Sequence, residues 1–331
     1  MATFAFLGES EENTNRVFGL GRKEKVFALG DCVRALIGRQ NLEEHKAALK
    51  GVRYAFCTWG MPNFTMEQIK KYFPSLECVF YAAGSVQVFA RNFLSCGVRV
   101  FSAWAANAVP VAEAVFAQIV LANKGFFHTL SVPSYAQKTE TALAFKGNFG
   151  TTVGLIGAGM IGSLVAEKLG NLAVNVVVFD PFLSDECASM LGVKKVDLHT
   201  LFESSDVISN HLANNDQTAG MLDYGCFSRM KRHAVFINSG RGRQVREADL
   251  IRALGEEQGR LAILDVTDPE PPIEGSPLYT MKNVILTPHI DGSWGNEVVR
   301  MADDALAAYE CVISGQPCKS EVFASMLATM A

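Results

Sequence analysis

No stretch of this 331-residue chain is a continuous apolar run of membrane-spanning length. The best candidate, Val109 to Leu121, is interrupted by Glu113 and Gln118 and is expected to be a core helix. A basic region ahead of an apolar segment is also missing. Met1-Ala-Thr-Phe-Ala-Phe-Leu7 runs almost directly into Glu9, Glu11 and Glu12, so no secretory leader is expected. An excess of charge of one sign is lacking: 30 Lys and Arg against 34 Asp and Glu give a net charge of −4, so nothing suggests a nucleic-acid footprint or a polybasic membrane patch. The eight cysteines are scattered, with no C-x-x-C pair, and the six histidines do not gather at ligand spacing. A disulfide framework and a metal site are therefore not expected, and reduced thiols in a cytoplasmic protein are. Internal repeats and low-complexity tracts are absent.

What is present is apolar residue in short, regularly spaced runs, 49 % of the chain in all, enough to fill two cores. Thr3–Leu7 reads as a strand, Leu42–Leu49 as a helix, Val52–Cys57 as a strand and Met66–Phe73 as a helix. Cys78–Tyr81 and Val98–Phe101 read as two further strands. This alternation predicts a small open α/β sheet, and its lack of phosphate-loop glycines suits it to shaping a substrate pocket. Val109 to Lys124 has helical spacing and opens near Pro110, a residue favoured in a first turn. Ser131 to Lys146 reads as a looser polar segment. From Thr151 the alternation becomes regular, with apolar runs at Val153–Ile156, Val176–Phe179, Val207–Ile208, Val235–Ile237, Leu261–Leu264 and Val284–Leu286. After Trp294 a helix presents Val298, Ala302, Ala305, Tyr309 and Val312 on one face, and it is expected to return to the first domain.

Within the regular half, Gly157, Gly159 and Gly162 follow an apolar strand in G-x-G-x-x-G spacing, and Met160, Ile161 and Gly162 open a helix. Such glycines permit a tight turn, close approach of a pyrophosphate and close helix–strand packing, while the helix N-terminus offers free N–H groups to phosphates. Asp180 ends the next strand about 20 residues on, where an acid grips a ribose diol in dinucleotide sites. NAD rather than NADP is expected, because Asp180 would repel a 2′-phosphate. The predicted fold is α/β: two doubly wound parallel-sheet domains, with a Rossmann domain (residues 105–295) inserted into a discontinuous substrate domain (residues 1–104 plus 296–331).

Ligands of open α/β sheets bind beyond the carboxyl ends of the strands. The residues found there are the glycines, Asp180, Ser209-Asn210-His211, Asn238-Ser239-Gly240-Arg241-Gly242, Asp265 and Thr287-Pro288-His289. With Val111-Ala-Glu113, Asp265-Val-Thr-Asp-Pro-Glu-Pro271 and Thr287-Pro-His-Ile-Asp-Gly292, these motifs resemble the D-isomer-specific 2-hydroxyacid dehydrogenase family. The likeness runs from about Asn107 to the end and more faintly through the first domain. It implies a flavodoxin-like substrate domain, NAD as cofactor, a small 2-hydroxy or 2-keto acid as substrate, and a homodimer.

The resemblance also implies roles. Arg241 would hold the substrate carboxylate and polarise the keto oxygen. His289 would exchange a proton with that oxygen, and Glu270 would orient His289. Asp265 would contact the nicotinamide carboxamide. Gly157, Gly159, Met160, Ile161, Gly162, Asp180, His211, Ser239 and Gly292 would line the cofactor, with His211 mainly structural. Backbone N–H groups around Gly84 and Ser85 would complete the carboxylate site. Trp59 and Trp294 fall between core packing and pocket lining.

The chain departs from the family at three places. Ala82-Ala-Gly-Ser-Val-Gln-Val88 lacks an Asp-Asn pair after its glycines, and Ala213 stands where proline commonly follows His-Leu, predicting a less rigid turn. Asp291 replaces a small residue, and it either acts on His289 or points away. A rival reading is an NADH-sensing, corepressor-like binding module of the same fold.

Overall fold

The computed structural model describes residues 3–328, so the expectation of no leader falls partly on residues outside that range. The chain divides into two units, residues 1–107 with 293–331 and residues 108–292.

In the first unit, β1 (Phe4–Leu7), β2 (Cys32–Ile37), β3 (Tyr54–Cys57), β4 (Cys78–Tyr81) and β5 (Arg99–Ser102) are parallel in the order β5-β4-β3-β1-β2. A short antiparallel strand, Glu321–Val322, borders β5. Read from the other edge the order is 2-1-3-4-5, the flavodoxin-like arrangement. The returning helix is Val299–Ile313, and it buries Met301, Ala302, Ala305, Ala308 and Tyr309 in this unit's core. The Tyr309 ring meets Phe4, Tyr54 and Phe80 at centroid distances of 5.5, 5.3 and 5.8 Å, each with an edge-on geometry. Such pairs contribute about 0.5–1.5 kcal/mol beyond area burial. Elements here that were not anticipated include the helices Glu11–Val17, Arg22–Ala28 and Ala90–Ser95, the strand β2 and the short strand Glu321–Val322.

The second unit holds β6 (Phe149–Ile156), β7 (Ala173–Phe179), β8 (Lys194–Lys195), β9 (Val207–Asn210), β10 (Val235–Asn238), β11 (Leu261–Leu264) and β12 (Val284–Leu286). All pairings are parallel, in the order β12-β11-β10-β9-β6-β7-β8, which counted from the far edge is 3-2-1-4-5-6-7, a Rossmann sheet with an added strand. Alternate residues face opposite sides. Val153, Leu155, Val207, Val235, Ile237, Leu261 and Ile263 enter one core, whereas Ile156, Ile208, Phe236, Ala262 and Leu264 enter the other. Covering both faces explains why the strands are continuous apolar runs.

Two expectations about helices are corrected. The first concerns the predicted Val109–Lys124 segment. It is the helix Trp104–Asn123, and Pro110 lies inside it rather than in its first turn. At 20 residues and a mean hydropathy of 1.6, this helix is long and apolar enough to cross a membrane. It nevertheless buries Val111, Ala112, Val115, Ile119 and Ala122 against the sheet, which is what a core helix does. The second concerns the polar segment Ser131–Lys146. It contains the helix Tyr135–Leu143, started by a capping box in which Ser134 and Gln137 satisfy each other's backbone N–H.

Candidate functional site

β6 and β9 are neighbours in the sheet, and the chain winds away from them in opposite directions. The crevice at such a switch point is where α/β sheets bind ligands. The glycine loop leaves β6 there. Gly157 has φ 93°, and a Cβ on it would stand 2.8 Å from the carbonyl oxygen of His211. A Cβ on Gly162 would stand 2.0 Å from the carbonyl oxygen of Gly157, so the helix Met160–Leu169 packs on the strand turn as only glycine allows. Gly159 faces open space, with nothing within 4 Å of its missing Cβ. Tight turn, close packing and an open approach are thus divided among the three glycines as pyrophosphate binding requires. Asp180 accepts the Ala158 N–H on Oδ2 at 2.7 Å and the Phe182 N–H on Oδ1 at 2.8 Å. It therefore fixes the glycine loop, and each oxygen keeps acceptor capacity for a ribose hydroxyl.

His211 follows β9. Its ring is buried, and neither nitrogen has a hydrogen-bond partner among the described residues. Burial lowers its pKa to about 4, so the ring is neutral near pH 7. At the turn where proline commonly follows His-Leu, the Ala213 carbonyl accepts from Nε2 of Gln244 at 3.0 Å and from Oγ1 of Thr218 at 2.6 Å. Gln244 also joins Asn210 and Asn238. Nδ2 of Asn210 donates to Oδ1 of Asn238 at 2.9 Å and to Oε1 of Gln244 at 2.6 Å, all three side chains being buried. This amide network links the loops after β9 and β10, and the sequence pattern gave no sign of it.

β10, β11 and β12 are adjacent, and their carboxyl ends carry the remaining polar groups. Arg241 stands at the head of the turn Gly242–Gln244, with Nη1 donating to the Gly240 carbonyl at 2.7 Å. Burial lowers the guanidinium pKa, and the negative charge of Glu270 opposes that shift. Gly242 lets the Arg241 turn touch the loop after β11: a Cβ there would stand 1.9 Å from the carbonyl carbon of Thr267. Glu270, on that loop, meets His289 through an Oε1···Nδ1 contact of 2.7 Å. His289 has φ 55°, an uncommon backbone for a non-glycine residue.

Asp265 holds this histidine loop. Its backbone carbonyl accepts the His289 N–H at 3.1 Å. Oδ1 accepts from Thr287 Oγ1 at 2.6 Å and from the Ile290 N–H at 2.8 Å, while Oδ2 accepts the Asp291 N–H at 2.9 Å. Its carboxylate is therefore first a loop organiser. The Ser239 hydroxyl donates to Asp291, which leaves its oxygen as an acceptor, and its backbone, as what Ser239 offers a cofactor. Gly292 has open space around its missing Cβ.

The other expected residues lie in the first unit. Gly84 and Ser85 follow β4, and their N–H groups donate to no acceptor among the described residues. Ser102 steadies that loop, its hydroxyl lying 2.9 Å from the Ala83 carbonyl oxygen and 2.6 Å from that of Gly84. Trp59 and Trp294 bracket the Arg16 guanidinium, whose carbon lies 5.5 and 4.9 Å from their ring centroids. Trp59 packs partly on the core, whereas Trp294 is 48 % exposed.

Comparison with known proteins decides the family. Residues 127–291 match the model of the D-isomer specific 2-hydroxyacid dehydrogenase NAD-binding domain. The chain belongs to the D-isomer specific 2-hydroxyacid dehydrogenase family. Among curated relatives, D-3-phosphoglycerate dehydrogenase of Archaeoglobus fulgidus is 35 % identical over 200 residues, 60 % of this chain and 37 % of that protein. The match thus spans well under half of that relative. Among solved structures, D-mandelate dehydrogenase of Rhodotorula graminis has a TM-score of 0.78 at 19 % identity, covering 97 % of this chain and 98 % of the other. An NAD-complexed D-isomer specific 2-hydroxyacid dehydrogenase of Lactobacillus delbrueckii ssp. bulgaricus has a TM-score of 0.76 at 19 % identity, covering 97 % of this chain and 100 % of the other. These two likenesses establish the fold. The second unit is an NAD-binding domain, and the glycine loop and Asp180 fit that cofactor.

Proposed function

We propose that this chain is an NAD-dependent dehydrogenase that interconverts a small D-2-hydroxy acid and its 2-keto acid. The observation that carries the proposal is the 2.7 Å His289–Glu270 contact on strand ends adjacent to that of Arg241. What the cofactor supplies when bound is hydride transfer at the carbinol or carbonyl carbon. The rest falls to side chains of this chain. Arg241 binds the substrate carboxylate through its planar fork and polarises the keto oxygen. His289 protonates that oxygen in reduction and removes the proton in oxidation, with the exchanged proton on Nε2 because Nδ1 is held by Glu270. Glu270 fixes the ring's orientation and stabilises the imidazolium. Gly84 and Ser85 offer N–H donors suited to a carboxylate. Asp180 favours NAD, since a 2′-phosphate would meet its negative charge.

The test is NADH oxidation by purified protein across glyoxylate, pyruvate, hydroxypyruvate and bulkier 2-keto acids. Turnover of at least one with a D-hydroxy product supports the proposal. Tight NADH binding without turnover of any would favour a sensing module instead.

We also infer a homodimer. Its support is the apolar surface left exposed between residues 126 and 149, namely Phe126, Leu130, Tyr135, Leu143 and Phe149. Light scattering should give twice the 35.9 kDa chain mass. The eight free thiols suit a reducing, cytoplasmic setting.

A further inference from the structure

Asp291, two residues beyond His289, is only 6 % exposed. Its backbone N–H is held by Asp265 at 2.9 Å. Its carboxylate accepts from Nε2 of Gln118 at 2.8 and 3.1 Å and from the hydroxyl of Ser239. The partners come from three places: the helix Trp104–Asn123, the end of β10 and the end of β11. Every side-chain donor to the carboxylate is neutral. Burial raises the carboxyl pKa and Asp265 adds to the effect, while Ser239, Gln118 and the charge of His289 oppose it. Burying a carboxylate beside a second one is costly, and here the cost is offset by the buried donors that the carboxylate collects. The position is therefore better explained by what the carboxylate holds than by packing.

What it holds is the Arg241 turn. Ser239 is bonded to Asp291, and the next carbonyl, that of Gly240, accepts from the Arg241 guanidinium at 2.7 Å. We propose that Asp291 is a positioning residue that clasps the Arg241 loop to the His289 loop through Ser239, presetting guanidinium and imidazole against each other. Gln118 anchors the clasp to the helix. This rests on the keto-acid reductase function proposed above.

The clasp predicts coupling between Ser239 and Asp291. Asp291→Ala and Ser239→Ala should each lower kcat/KM for the keto acid roughly 10- to 100-fold, mainly through KM, since misplacement by about 1 Å costs on that order. NADH affinity, read from nucleotide fluorescence, should fall much less than kcat/KM, because the glycine loop after β6 is untouched. The double variant should be about as impaired as the worse single one, because both remove the same link. Asp291→Asn should restore most of the activity: its oxygen accepts from Ser239, and the Gln118 amide can turn over to accept from its nitrogen. Oε1 of Gln118 is buried and has no partner among the described residues, so it is ready for that role.

Unchanged keto-acid kinetics in both single variants, or strictly additive losses in the double, would overturn the clasp. So would a fall in NADH affinity in step with kcat/KM. If Asp291→Ala fails to fold, Ser239→Ala, which deletes one hydroxyl, decides the question by the same KM-against-kcat criterion. Hydrogen exchange at residues 239–242 provides a readout independent of turnover. If the unmodified protein reduces no 2-keto acid, the proposed activity fails. Faster exchange there in Asp291→Ala would still uphold the clasp, and unchanged exchange would sink it.

Discussion

Gly242 is the point where the Arg241 turn and the Glu270 loop touch, and Gly242→Ala tests how tightly that contact sets the site. Its Cβ would lie 1.9 Å from the Thr267 carbonyl carbon, 2.1 Å from its oxygen and 2.5 Å from the Asp268 nitrogen. All three are backbone atoms, so no side chain can swing aside. To reach the 3.4 Å at which ordinary contact begins, the two loops must part by about 1.5 Å. Overpacking of this kind costs about 1–3 kcal/mol. For a domain of this size that corresponds to a fall in Tm of roughly 2–12 °C. Displacement of catalytic groups by about 1 Å can cost roughly 100-fold in rate, so kcat/KM should fall by at least about that factor. NADH affinity should fall less than kcat/KM, because the glycine loop after β6 is on a different strand. Gly255→Ala is the control. Gly255 lies in the helix Glu247–Glu256, with nothing within 4 Å of its missing Cβ, so the same added methyl should stabilise by up to about 1 kcal/mol. Thermal melts and steady-state kinetics on the two variants decide the matter. A Gly242→Ala protein with unaltered Tm and kcat/KM would show that the loop contact does not set the site.

Three further outcomes follow from the geometry. Asp180→Ala should weaken NADH binding and narrow the preference over NADPH, as measured by Kd for each nucleotide; an unmodified protein that binds NADPH as tightly as NADH would overturn the role of Asp180. Buried His211, with its pKa lowered to about 4, must stay neutral to remain folded. Its contribution is complete above the unfolded value of about 6.5 and is lost as pH falls toward 4, amounting to roughly 3 kcal/mol across that window. A His211→Gln variant should therefore lose less Tm than the unmodified protein between pH 7 and pH 4.5, and parallel losses would refute this. Glu270→Gln should barely change Tm, because the side chains of Glu270 and His289 are 42 % and 47 % exposed and such pairs contribute about 0–1 kcal/mol. It should nevertheless lower kcat well beyond what that stability change implies, and a kcat equal to that of the unmodified protein would remove Glu270 from the mechanism.

The strand ends were legible in the sequence because a parallel sheet buried on both faces writes its strands as short apolar runs. Each run in the second unit therefore announced the residue that follows it, including Arg241, Asp265 and His289. Elements without an apolar signature were missed. The helix Tyr135–Leu143 buries no residue, so it has no stripe to detect; its Ser134–Gln137 capping box was the available signal. β2 carries Arg34 exposed in mid-strand, which breaks the apolar run. Contacts between distant residues were illegible for a different reason. Gln118 and Asp291 are separated by 173 positions, and nothing local in either segment reports that they meet. Asp291 stood out only as an unusual residue beside His289, and its direction was settled by the fold.

The most direct test of the account is the product and rate of 2-keto acid reduction with His289→Ala. The unmodified protein should convert a 2-keto acid and NADH to the D-2-hydroxy acid. His289→Ala should be slower by roughly 10²–10⁴ at unchanged NADH affinity, the range expected on removing a general acid. A variant that retains full activity, or an unmodified protein that yields the L-hydroxy acid, would contradict the account.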